Sequence, residues 1–184
     1  KKAESEGYVV EDYLAREAEL LNPGSDGLFT IPDWLAPATQ LYRKGVILGF
    51  DERHTRGHIY RSLLEGIALT LKNSYSAMCD ELGKTPNKII VSGGGSNSDL
   101  YMQIIADIYG VRTVRNVVNG AASLGAAISV AVATGIYLDY ETAVRKMIKQ
   151  RDEFTPNMAN HDAYNRINNI YRRLPGLLEA PLKE

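Results

Sequence analysis

The sequence predicts an α/β fold, and two features predict it. Between Lys88 and Val114 an apolar run, Ile89-Ile90-Val91, enters three glycines, an apolar-periodic segment follows from Leu100 to Tyr109, and a second apolar run begins at Val111. Strand, turn, helix, strand in that order implies right-handed crossovers and neighbouring parallel strands. The other feature is a long helical periodicity from Thr55 to Leu82. At 184 residues and 45% hydrophobic composition the chain can bury one core. We read it as a single domain over 1–184, with a helix and short strands in 1–50 and the α/β core and closing helices in 51–184.

The elements follow in order. Val9, Val10, Tyr13, Leu14, Ala18 and Leu21 have helical spacing, and Asn22-Pro23-Gly24 stops that helix. Leu28 to Ile31 reads as a strand ended by Pro32, a loop with Trp34 and Pro37 follows, and Gly45 to Phe50 reads as a second strand. Ile59, Leu63, Ile67, Leu71, Tyr75, Met78 and Leu82 form one apolar face of a helix that Thr55 caps and Gly83 ends. After the strand Lys88 to Val91 come a helix from Ser98 to Tyr109 closed by Gly110 and a strand from Val111 to Val114. Asn119-Gly120 starts an Ala-rich helix ending near Gly135, and helices at Tyr140 to Gln150 and His161 to Leu174 complete the chain, with Pro175 as the stop.

The candidate binding element is Lys88 to Asp99, KIIVSGGGSNSD. Glycine lacks a Cβ, so a ligand can approach the backbone of Gly93, Gly94 and Gly95, and the free N–H groups of the following helix face the same space. Such donors suit a phosphate or nucleotide. The motif is neither GxGxxG nor GxxxxGK[ST], and the same turn also serves where no ligand binds. Catalytic signatures are weak elsewhere. No GxSxG elbow is present, and Ser92 has no evident His/Asp partner. His54 and His58 with Asp51 and Glu52 outline a metal site that lacks a third ligand, so no metal site is expected. Arg61 and Glu65, at i and i+4, read as a surface or interdomain ion pair. Tyr137, Tyr140, Tyr164 and Tyr171 read as packing residues.

Lys and Arg total 21 against 22 Asp and Glu, with no long basic run, which argues against nucleic acid as a partner. The single Cys79 makes no intrachain disulfide, reads as a small buried apolar residue, and fits a cytoplasmic setting. The opening KKAESEGYVVEDY begins without Met and lacks a signal-peptide pattern, so the chain is expected to be a fragment. Ala121 to Leu138 is uncharged, but its Ala, Gly, Ser and Thr favour a close-packed helix buried between other elements over a membrane span.

Four stretches together resemble a known family. They are Gly27-Leu28-Phe29 with Pro32; GVILGFDERHTRGHIYRSLLEGIA, with a Gly-flanked strand, His58 and an Arg-x-x-x-Glu-Gly helix; VSGGGSNSDLYMQIIADIYG with Ala121 to Ala127; and Phe154-x-Pro156 with Tyr164, Tyr171 and Leu174. In this order they resemble the C-terminal nucleotide-binding domain of the FGGY carbohydrate kinases, the group containing glycerol, xylulose and ribulose kinases. The resemblance implies a ribonuclease H-like, actin-like ATPase domain, incomplete at its N-terminal side. It further implies ATP, with Mg²⁺, as phosphoryl donor to a sugar or polyol hydroxyl. Gly94 and Gly95 would line the adenosine or phosphate side, Ser98 would face adenine, and Gly93, Ser96 and Asn97 would complete the turn. The family's catalytic Asp and its sugar-binding domain lie N-terminal to anything matched here, so no catalytic residue is expected in this chain. Two departures stand out: a short loop from Asp33 to Lys44, and Gly120 where many members have Glu. The alternative reading is a non-catalytic kinase-like binding or assembly module. Missing strands would leave an unpaired sheet edge, from which self-association into a homo-oligomer is expected.

Overall fold

A long helix and a parallel strand pair joined through a shorter helix organise the computed structural model, which describes Ser5, residues 7–36 and residues 38–183. Pro37, expected in the loop after the first strand, lies outside the described residues. Helix α1 is Val10–Glu19. Strands β1 (Phe29–Ile31) and β2 (Val46–Leu48) form an antiparallel pair, with Thr30 opposite Ile47. Helix α2 runs from Arg56 to Leu82, 27 residues, so it spans roughly 40 Å. Its ends are those the sequence implies. Thr55 and His58 form a capping box, and Gly83 closes the helix in the left-handed region at φ 60°.

Strand β3 (Lys88–Val91), helix α3 (Asp99–Tyr109) and strand β4 (Arg112–Asn116) form the expected unit, with β3 and β4 parallel and Ile90 opposite Val114. Ser98 Oγ accepts from the Tyr101 amide, and Gly110 ends α3 at φ 68°. Helices α4 (Ala121–Ala133) and α5 (Tyr140–Met147) follow. Strand β5 (Gln150–Phe154) then pairs antiparallel with β4, giving a sheet ordered β3-β4-β5. Helix α6 (Met158–Tyr171) and the short helices α7 (Leu174–Leu177) and α8 (Glu179–Lys183) end the described chain. No helix among the described residues is long and apolar enough to cross a membrane.

The core lies where α2 and α3 meet α1 and α6. Ala18, Ala68, Leu69, Leu100, Ile104, Ile108, Tyr164 and Tyr171 are buried together. Tyr164 and Tyr171 are thus packing residues as expected, whereas Tyr140 is exposed. Cys79 is buried, as its size and polarity imply.

Several expectations need correction. The expected helix Tyr140 to Gln150 stops at Met147, because Gln150 already belongs to β5. The last long helix begins at Met158 rather than His161, where Asn157 caps it, and Pro175 lies at the start of α7 instead of ending a helix. The Ala-rich helix is not buried between other elements: of α4 only Ile128 and Ala131 are buried, and Val130 is 60% exposed. Its composition fits close packing, but among the described residues it packs mainly on α5. The face buried by α2 is also not the one its apolar spacing indicates. His58, Arg61, Ser62, Glu65 and Leu69 are buried, while Ile59, Leu71, Met78 and Leu82 are exposed.

Candidate functional site

The glycine turn is built by β3 leading into a single 3₁₀ turn, Gly94–Asn97, and then into α3. Gly93 has φ 87° and ψ −176°, a backbone state that suits glycine. Ser96 is fully buried, and its Oγ donates to the Gly93 carbonyl at 2.7 Å, bracing the turn from inside. The Gly93 amide donates to Asn119 O at 2.8 Å, and Asn119 Nδ2 donates to Asn97 Oδ1 at 2.8 Å, so the loop before α4 holds the turn from a second side. Among the described residues the amides of Gly94 and Gly95 donate no hydrogen bond.

These amides border a cavity of about 1060 Å³. Gly94, Gly95, Asn97 and Ser98 line it together with Ile89 and Val91 of β3, Leu64 and Ile67 of α2, and Tyr101 of α3. Gly93 and Ser96 do not; they hold the turn from behind. A Cβ at Gly94 would meet nothing within 4 Å, so the approach to this backbone is open. At Gly95 a Cβ would stand 3.0 Å from the Tyr101 ring. Asp12 and Glu11 of α1 also reach the cavity, but among the described residues no group of three His, Cys, Asp or Glu side chains is placed to hold a metal ion. An apolar recess ending in open backbone donors fits the flat base and the anionic tail of a nucleotide.

Behind the turn stands Arg115 of β4, 4% exposed. Its Nε and Nη2 donate to the two oxygens of Asp152 at 2.7 and 2.8 Å, Nη2 also donates to Asp99 at 2.7 Å, and Nη1 donates to Ser96 O at 2.8 Å. The hydrogen bonds from Arg115 hold the Asp152 carboxyl below the usual carboxylate range. Nothing in the sequence marks Arg115. Its partners lie 16 to 37 residues away and meet only in the folded sheet.

The other motif residues converge elsewhere. Glu65 Oε1 accepts from Gly24 N (3.0 Å), Arg61 Nε (2.8 Å) and Tyr164 OH (2.8 Å), and Oε2 accepts from Ser25 Oγ (2.9 Å). Arg61 also donates to Ala18 O. The Arg61–Glu65 pair is therefore a buried junction of α1, α2, α6 and the 24–27 turn, not a surface pair. Its two side chains are 7% and 5% exposed. Burial pushes the Tyr164 phenol well above its ordinary value, and the Glu65 carboxylate adds to the effect. His58 Nδ1 accepts from the Thr55 amide, so its proton falls on Nε2 and is donated to Asp26 at 3.2 Å. His54 stacks edge-on to His58 at 5.3 Å and its Nδ1 accepts from the Asp51 amide. Both rings are thus used in turn geometry at the start of α2.

Residues 2–134 match the model of the FGGY family of carbohydrate kinases, C-terminal domain. The chain belongs to this family. The FGGY chain is 45% identical over 175 residues to the uncharacterized sugar kinase YgcE of Escherichia coli (strain K12), covering 95% of this chain and 36% of that protein. It is 28% identical over 188 residues to the glycerol kinase of Clostridium perfringens (strain SM101 / Type A), covering 94% and 37%. Its fold matches the crystal structure of xylulose kinase from Rhodospirillum rubrum with a TM-score of 0.79 and 27% identity, over 94% of this chain and 35% of that one. The chain spans about a third of the length of the relatives it matches. The actin-like, ribonuclease H-like class expected from the sequence is borne out by these structural neighbours.

Proposed function

We propose that this chain is the ATP-binding C-terminal portion of a carbohydrate kinase, one domain over 1–184, inactive without the remainder of the protein. The observation that carries this reading is the open approach to Gly94, with the Gly94 and Gly95 backbone lining the cavity, in a chain of the FGGY family. Bound ATP supplies the γ-phosphoryl group for a sugar or polyol hydroxyl, with Mg²⁺ neutralising phosphate charge. The chain's own part is binding and orientation. The Gly94 and Gly95 amides offer donors to phosphate or ribose oxygens, Asn97 and Ser98 offer polar atoms beside them, and the apolar walls from α2, β3 and α3 exclude water from a base. Such fixed donors serve a phosphoryl transfer, which depends mainly on positioning and charge neutralisation. Sugar selection and proton abstraction fall to the rest of the protein, as does carboxylate help with Mg²⁺. Cytoplasmic placement and the absence of nucleic-acid or membrane partners belong to the same reading.

The test is Gly94→Val in the intact protein that carries this chain. A Cβ there meets no protein atom within 4 Å, so the fold is expected to be retained while the ligand's approach is filled. Calorimetric titration with ATP and Mg²⁺ is expected to show affinity reduced at least ~10-fold, about 1.4 kcal/mol. Unchanged affinity in the folded variant would overturn the site, and no ATP binding by the wild-type protein would favour a non-catalytic kinase-like module.

A further inference from the structure

The nucleotide turn is braced from inside by Ser96 Oγ and from the loop before α4 by Asn119, and a third hold comes from β4. Arg115 is the only side chain seen there to bond two of the turn's carbonyls among the described residues: Nη1 reaches Ser96 O at 2.8 Å and Asn97 O at 3.5 Å. In a trans peptide the carbonyl and the following N–H point in opposite directions. Drawing the Ser96 and Asn97 carbonyls back toward Arg115 therefore sets the orientation of the peptide planes of Asn97 and Ser98, which line the cavity.

The guanidinium is itself fixed from three sides. Asp152 sits directly opposite Arg115 in the β4–β5 register and takes it with both oxygens, a bidentate geometry that locks the plane of the group. Asp99, the first residue of α3, takes Nη2 at 2.7 Å. The Phe154 ring lies 5.1 Å from the guanidinium carbon. One planar cation thus ties the edge strand β5, the start of α3 and the glycine turn into one arrangement. A lysine, with a single nitrogen, could not bond all these partners in the same fork.

We propose that Arg115 is the positioning residue of the nucleotide site, presetting the Ser96–Ser98 backbone for ATP without touching it, with Asp152 as its anchor. The proposal rests on the nucleotide-binding reading above. It explains why the edge strand β5, which contributes nothing to the cavity lining, carries a carboxylate at the one register position that faces Arg115.

The experiment uses the intact protein and three variants, Arg115→Met, Arg115→Lys and Asp152→Asn, each checked for folding by circular dichroism and thermal melting. Asp152→Asn keeps the side-chain shape and removes charge only from contacts with Arg115 and, at 3.6 Å, Arg151. Isothermal titration with ATP and Mg²⁺ is expected to show about tenfold weaker binding for Arg115→Met, with Arg115→Lys restoring part of it and Asp152→Asn giving a smaller loss. Combining Asp152→Asn with Arg115→Met is expected to cost no more than Arg115→Met alone, because both act through one arrangement. A lowered melting temperature with ATP affinity unchanged in the folded variants would overturn the proposal, leaving Arg115 a stabilising residue only. Independent, additive losses would overturn the pairing with Asp152. Should Arg115→Met not fold, Asp152→Asn decides alone: unchanged affinity counts against the proposal and weakened affinity for it. Failure of the wild-type protein to bind ATP is a distinct result that overturns the nucleotide reading itself.

Discussion

Glu65 illustrates what a residue can reveal before and after folding. Its spacing from Arg61 is visible in the chain, but Gly24, Ser25 and Tyr164, which complete its shell, lie 41, 40 and 99 residues away. An i,i+4 pair reads as a surface feature unless its distant partners are known, and these partners bury it. Removing one member of a buried, fully bonded ion pair leaves the other charge and several donors unpaired. Glu65→Ala is expected to lower stability by about 3 kcal/mol in urea unfolding, far more than an exposed ion pair would. Tyr171 gives a pH-dependent prediction. Burial pushes its phenol up to about 12, above its ordinary 10.0, while its single OH proton is shared between Thr30 O and Gly66 O, each at 3.0 Å. A raised folded value stabilises the fold fully below the unfolded value, and this contribution is lost as pH rises toward the folded one. The melting temperature is expected to fall between pH 10 and 12, and to fall less in Tyr171→Phe; equal slopes in the two proteins would count against the assignment.

At the scale of elements, ends were more legible than faces. Thr55, Gly83 and Gly110 mark helix termini through local chemistry, which a sequence displays directly. The sequence does not mark strand β5, because Gln150, Arg151, Asp152 and Glu153 carry no apolar alternation. As an edge strand it needs none, and its charges suit an exposed sheet edge. The buried face of α2 differs from the one its apolar spacing predicts for a related reason: polar groups there are bonded by α1, α6 and the 24–27 turn, while part of the apolar stripe faces the cavity. Gly66 shows how tightly the buried face packs. A Cβ there would stand 2.1 Å from the Thr30 carbonyl oxygen of β1, a backbone atom that cannot swing away. Gly66→Ala is expected to destabilise by about 2–3 kcal/mol, whereas Gly94→Ala, with open space around it, should leave the unfolding midpoint nearly unchanged. Equal effects at both glycines would contradict this division between a packing glycine and a binding glycine.

For the molecule as a whole, the glycine turn was legible and its setting was not. Gly93 to Ser98 appear in the chain as a turn between strand and helix, but only the fold separates Gly94, Gly95, Asn97 and Ser98, on the cavity, from Gly93 and Ser96, which brace them. Arg115 and its anchor stayed hidden because their role depends on the β4–β5 register. Among the described residues β3 pairs only with β4, and Ile90 is 55% exposed at the free side of the sheet. With the apolar cavity beside it and Val130, Ile136 and Leu138 uncovered on α4 and after it, this chain by itself is expected to self-associate. Light scattering over a concentration series checks this, and a monomer at high concentration would count against it. The central claim, that ATP is held by the Gly94–Ser98 backbone, is tested most directly by hydrogen exchange on the intact protein with and without ATP and Mg²⁺. Slower exchange in the peptide spanning Gly93 to Tyr101 when ATP is added is the predicted result; ATP binding with unchanged exchange in that peptide would contradict it.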